Sequence, residues 1–178
     1  MSKYLFLDCE SIPPGTPPSD PAELEAWTAL ALRPGSAHIV CMSWALSDGV
    51  VSTVQDARSI NAVLWEYRAL PWVAHGGRRF DFPLLYCNLV RAGSRSGAAQ
   101  VLADRMRCKP WETQLIDTAK MGGAWVKLSE YCEMHGVQGK TDSIGADIWR
   151  IWPDDPARVI AYCEGDVECL RAAHREAL

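Results

Sequence analysis

The apolar residues of this chain come in short runs whose period switches between two and three to four, and no run approaches the roughly 18 uninterrupted apolar residues of a membrane span. Lys3 to Cys9 alternates and leads into carboxylates, which predicts a strand running to the edge of a site. Ser11 to Asp20 holds four prolines and a glycine and predicts a loop. Asp20-Pro21-Ala22-Glu23 reads as a helix start, with Asp20 as N-cap and Pro21 in the first helical position, and the helix should run to about Leu32. Ala37 to Leu46 and Val50 to Val54 are apolar, β-branched runs around Ser47-Asp48-Gly49, a hairpin signal. Ile60, Val63, Leu64, Tyr67 and Leu70 fall at helical spacing up to Pro71. Trp72 to His75 predicts a short buried strand, Gly76-Gly77 a turn, and Phe80 to Arg91 a second helix. Residues 98–107 and 127–135 can be helical, Gly136 to Thr141 is a loop, and Asp155-Pro156 starts a long C-terminal helix. Strand, helix, strand, helix implies a crossover unit, hence an α/β sheet.

With 178 residues and 48% hydrophobic side chains, the chain suits one domain, 1–178, with a single substantial core. Asp8 interrupts the first apolar run, Tyr4 to Leu7, before it could act as a signal peptide, so a soluble, cytoplasmic protein is expected. Seven scattered cysteines suit reduced thiols, and Cys132 with His135 lacks the second half of a zinc site. Net charge is −4, which argues against non-specific binding to nucleic acid. Its distribution changes that: residues 1–70, 71–140 and 141–178 carry −4, +4 and −4. Arg78, Arg79, Arg91, Arg95, Arg105, Arg107 and Lys109 in the basic third either flank a backbone-binding groove or form a solvated face.

Three acidic fragments carry chemistry. Asp8 and Glu10 are two apart, so on a strand both carboxylates leave the same face, where a cation between them would offset their repulsion. A solvated pair at a strand terminus reads equally well. Tyr162 and Asp166 lie four apart on one helical face, beside an apolar stripe through Val159, Ile160, Cys163, Val167 and Leu170. The tyrosine could instead be core packing and the aspartate an exposed charge. Asp81 stands at a predicted helix start, where a carboxylate can serve simply as a cap.

Read in order, Leu5-Phe6-Leu7-Asp8-Cys9-Glu10-Ser11, Gly76 to Leu85 and Tyr162-Cys163-Glu164-Gly165-Asp166-Val167 resemble the three motifs of the DEDD exonuclease superfamily. Tyr-x-x-x-Asp matches its DEDDy branch, since alanine occupies 161, where a histidine-type member would have its histidine. The similarity is to stand-alone exonucleases akin to the proofreading domain of family B DNA polymerases. Ile39-Val40-Cys41, Leu115-Ile116-Asp117 and Gly136 to Lys140 echo the same group, so the resemblance spans nearly the whole chain. One departure is Gly76, where the family usually has an asparagine; another is Ser11 in place of threonine.

The resemblance implies a ribonuclease H-like fold, a mixed sheet of about five strands flanked by helices, and two-metal phosphodiester hydrolysis from a 3′ end with Mg²⁺ or Mn²⁺. It implies that Asp8, Glu10 and Asp166 hold one ion, that Asp8 and Asp81 serve the second, and that Tyr162 orients the attacking water. Glu10 and the backbone near Ser11 and Ile12 would meet the terminal hydroxyl, and Phe80 would stack on a base or pack in the core. Gly76, Gly77 and Arg78 would lie along the substrate strand, with Lys140 near its backbone or simply solvated. Gly139-Lys140-Thr141 is not a P-loop, because Met134 stands where that motif needs glycine. The expected partner is single-stranded DNA or a frayed 3′ end, with RNA as the alternative substrate and a catalytically silent nucleic-acid-binding domain as the rival on the same fold. The eight tryptophans could be stacking platforms, but packing is expected for at least six.

Overall fold

Leu5–Ile12 forms the first strand, β1, which starts two residues later and ends three residues later than its alternating pattern predicts. The extra residues belong to the strand because Ser11 and Ile12 still find partners, Ile39 and His38, after a register shift at Glu10/Ser11. The expected loop therefore begins after Ile12. In the computed structural model, which describes residues 3–95, 97–109, 114–121, 124–139 and 143–177, α1 (Pro21–Thr28) follows, continued by a 3₁₀ turn over Ala29–Leu32. Asp20 caps α1 by accepting from the Ala22 N–H at 2.8 Å. The hairpin of β2 (His38–Leu46) and β3 (Ser52–Val54) comes next, then α2 (Ala57–Glu66), β4 (Trp72–Ala74), α3 (Asp81–Arg91) and α4 (Ala98–Arg107). Helix α2 starts earlier than its apolar spacing predicts, because Asp56 caps the Ser59 N–H at 2.9 Å, and it ends earlier as well, at Glu66. The chain closes with β5 (Leu115–Asp117), a ribbon of β6 (Lys120–Met121) and β7 (Ala124–Trp125), α5 (Leu128–Met134), α6 (Ile148–Ile151) and α7 (Pro156–Glu176). Two-residue strands carry no readable period, and the ribbon was not expected.

The main sheet has the order β3-β2-β1-β4-β5, with β1, β4 and β5 parallel and β2 and β3 antiparallel to their neighbours. This five-stranded mixed sheet flanked by helices is the expected α/β class and is compatible with a ribonuclease H-like fold. Side-chain alternation along β1 divides the core. Leu5, Leu7 and Cys9 pack on one face with residues of α2, α3 and α4, including Leu64, Phe82 and Leu102. Phe6 points the other way, toward Val167 and Leu170 of α7 and Tyr131 of α5. Asp8 and Glu10 share the parity of Phe6, so they emerge on the α7 side where the apolar packing ends. Because β1, β4 and β5 are parallel, their carboxyl ends share one edge, the crevice where open α/β sheets take ligands. No described helix is long and apolar enough to cross a membrane.

Candidate active site

A cavity of about 390 Å³ opens at that edge, and Asp8, Tyr162 and Asp166 line it together with His75, Lys127 and Ser143. Residues 154 apart in sequence meet here because α7 lies across β1, with Asp166 buried at 8% exposure. Glu10 sits beside Asp8: one ligand atom from each, together with the Cys163 sulfur, all fall within 4.8 Å of one another. Asp81 arrives from the opposite face of the sheet. It begins α3, is 2% exposed, and its Oδ1 accepts the Cys9 N–H at 3.1 Å, one residue from Asp8.

The electrostatics follow from that crowding. Burial pushes the Asp81 carboxyl well above the usual range, and the charge of Asp8 adds to the shift, while the Cys9 N–H opposes it. Burial likewise raises the thiols of Cys9 and Cys163, with Asp8 contributing to each. Cys163 donates to Asp8 Oδ2 and to the Asp8 carbonyl, both at 3.4 Å. Glu10 and Asp81 do not line the cavity, but Asp8, Glu10 and Cys163 lie close enough to hold a metal ion, whose positive charge would relieve the repulsion between the two carboxylates.

His75 is a site residue that the motif reading passed over. Its Nε2 lies 2.9 Å from the Val126 carbonyl, which can only accept, so Nε2 carries the proton and Nδ1 accepts from Thr118 Oγ1 at 3.0 Å. Burial lowers its pKa, which keeps the ring neutral, although Asp117 and Asp166 pull the other way. Both ring nitrogens are thus committed to holding the cavity wall. Nothing in a lone histidine before two glycines signals this, because both partners come from beyond β5. Lys127, which opens the α5 segment, and Ser143 were also missed.

The remaining predicted residues separate into several groups. Gly76, at φ +76°, and Gly77 form the turn after β4, with Asp117 accepting the Gly76 and Arg78 N–H groups at 2.9 and 3.0 Å. Phe80 is half-buried against the core formed by α2, α3 and α4. Ser11 is buried with its hydroxyl donating to the Ala31 carbonyl at 2.8 Å, and half-buried Ile12 packs beside Cys41 and Cys163. Two guanidinium nitrogens of Arg78, Nε and Nη2, are buried without a hydrogen-bond partner. Lys140 and Trp111 lie outside the described residues. Of the basic set proposed as a groove, Arg91 donates to the carbonyl of Ala37 and Arg105 to those of Leu70 and Arg68, so these two staple loops.

No protein-family model matches the chain, and no curated protein does. Among solved structures, the chain is similar to the family B DNA polymerase from the hyperthermophilic archaeon Pyrobaculum calidifontis, with a TM-score of 0.58 and 16% sequence identity. The match covers 99% of this chain but 24% of the polymerase, so the chain spans about a quarter of that protein and shares its local fold.

Proposed function

We propose that the chain is a single-domain, metal-dependent 3′-to-5′ exonuclease of the DEDDy type that acts on single-stranded or frayed DNA ends. The observation that carries this reading is the meeting of Asp8, Tyr162 and Asp166 in one cavity, with Glu10 and Asp81 beside Asp8. The likeness to a DNA polymerase supports a nucleic-acid substrate.

Asp8, Glu10 and Asp166 would hold one cation, and Asp8 and Asp81, directly or through water, would serve a second. Divalent cations held there would supply Lewis-acid stabilisation to the attacking and departing oxygens of an in-line displacement. Tyr162 orients the water by hydrogen bonding, because a phenol with a pKa near 10 is a poor base at neutral pH. The water oxygen bonds to phosphorus, giving up a proton to solvent, as the bond to O3′ of the remaining strand breaks and O3′ takes up a proton, freeing a nucleoside 5′-monophosphate. Glu10 and the neighbouring backbone meet the terminal 3′ hydroxyl, so an end is required.

Digestion of 5′-labelled single- and double-stranded DNA and single-stranded RNA, with Mn²⁺ or EDTA, tests the proposal. A ladder shortening from the 3′ end is expected in Mn²⁺ alone, with Asp8→Ala inactive and Tyr162→Phe slowed roughly 100-fold. Cleavage in mid-strand, or activity in EDTA, refutes it.

A further inference from the structure

Beyond the cavity, the β6/β7 ribbon presents an aromatic ring between two cations. Lys120 and Trp125 are direct partners across the ribbon, so their side chains leave the same side. The Arg79 guanidinium lies over the Trp125 ring, with Cζ 5.6 Å from its centroid. Trp125 is 52% exposed, whereas Trp72 is wholly buried and Trp27, Trp44, Trp149 and Trp152 are half-buried. Trp65 is the other exposed tryptophan among the described residues, but its cation, Arg68, sits one turn away on the same segment and bonds back to the Trp65 carbonyl at 2.7 Å. Trp125 and Arg79 come from segments 46 residues apart, and both segments lead into the cavity.

Those connections are short. Val126, the next residue, donates to the Ala119 carbonyl at 2.9 Å and accepts from His75 in the cavity wall. Lys127, two residues beyond Trp125, lines the cavity itself. On the other side Arg79 stands two residues before Asp81 and follows Arg78, whose buried Nε and Nη2 have hydrogen-bonding capacity to spare.

We propose that Trp125, Arg79 and Lys120 form a binding platform for single-stranded nucleic acid, on which an unpaired base upstream of the bond to be cut stacks while the cations hold its flanking phosphates. An exposed aromatic face accepts any base that is not already stacked in a duplex, and adjacent cations complement the backbone. The identity of the strand end entering the cavity rests on the exonuclease reading; the platform's preference for unpaired strands does not.

The test measures binding of fluorescein-labelled (dT)12 and a blunt duplex in Ca²⁺ by fluorescence anisotropy. Trp125→Ala should weaken (dT)12 about 10-fold, the loss of one stacked base, and leave the duplex within about twofold. Trp125→Phe should recover most of the loss. Replacing Arg79 and Lys120 together by alanine should reduce the slope of log affinity against log salt by about 1.4, two phosphates' worth for a single strand. Unchanged (dT)12 binding in Trp125→Ala, or equal losses for (dT)12 and duplex, overturns the platform. Mn²⁺-dependent cleavage of p-nitrophenyl thymidine 5′-phosphate, which has no upstream base to stack, reports the metal site separately. Failure of the wild-type protein to cleave that ester refutes the nuclease reading, and the binding ratios decide the platform independently.

Discussion

Gly76 and Gly77 adjoin in the turn that delivers Asp81, yet they are glycine for different reasons. Gly76 has φ +76° with nothing within 4 Å of a Cβ, so only its backbone conformation favours glycine. Asparagine tolerates that conformation better than other side chains, and Gly76→Asn should cost less than about 1 kcal/mol. A Cβ on Gly77 would stand 2.5 Å from Ala74 Cβ and 2.9 Å from Phe82 Cε2, both in the core. Gly77→Ala should therefore cost about 1–3 kcal/mol by overpacking, or about 2–4 °C of melting temperature per kcal/mol. Thermal melts that rank the two substitutions the other way would contradict this contact reading. Asp81 offers a sharper test. Its folded-state pKa is raised, so what it contributes to stability is present below its unfolded value and is lost as pH rises through the folded one. At pH 7 without metal, Asp81→Asn should raise the melting temperature, keeping an acceptor for the Cys9 N–H while removing the buried charge. The same substitution should shrink the further rise that Mn²⁺ gives the wild type. A lower metal-free melting temperature would show that the charged carboxylate is already compensated.

Helix α7 supplies two of the candidate catalytic groups, and its position depends on polar ties as well as its apolar stripe. Asp155 caps its start by accepting the Arg158 N–H at 3.1 Å. Near its other end Arg171 donates to the carbonyls of Leu46 and Gly49, and Arg175 to that of Ser47, fastening the helix over the β2–β3 turn. Between these, Thr53 of β3 donates to Glu164 at 2.7 Å. Since the one hydroxyl proton of Thr53 goes to Glu164, Ser43 must donate to Thr53 in the 2.8 Å contact between them. This chain runs from the sheet to the turn of α7 between Tyr162 and Asp166. Thr53→Val breaks both bonds at nearly constant shape and should lower stability by about 1–2 kcal/mol. The Mn²⁺ concentration giving half-maximal activity should rise as well; a stability loss with no change in that concentration would separate the tie from the site. In α3 the helix dipole favours a charged Asp81, but burial outweighs it, and the carboxyl ends with a raised pKa.

Across the fold, the two faces of the sheet differ in what they bury. One holds an apolar core under α2, α3 and α4; the other adds His174, 8% exposed, with edge contacts to Tyr4 and Phe6 at 5.2 and 5.5 Å. Burial lowers the pKa of His174, with nearby His135 adding to the shift, and burial lowers that of His75. For both, the unfolded chain binds more protons than the folded protein once pH falls below about 6.5, so stability is full above that value and declines as pH drops toward the lowered folded values. Denaturant melts in EDTA should show that decline between about pH 6.5 and 5, and His174→Leu should flatten part of it. A curve equally steep in the variant would assign the acid loss elsewhere.

Sequence by itself determined most of the longer elements and their order, though not β5, the β6/β7 ribbon or α6, because caps and apolar periods are local: Asp20-Pro21, Asp155-Pro156, the β2–β3 hairpin and α4 all lie where the pattern predicts. It also picked out Asp8, Glu10, Asp81, Tyr162 and Asp166 as a set, by motif and not by distance. Tertiary structure alone decided the rest. The extension of β1 to Ile12 depends on β2 offering partners, and the β6/β7 ribbon is held by contacts too few to leave a period. Arg105 became a staple and Arg79 a ring's neighbour, though as isolated charges they read alike. The common cavity of Asp8, Tyr162 and Asp166 exists because packing across the sheet, which no local pattern encodes, carries α7 over the end of β1.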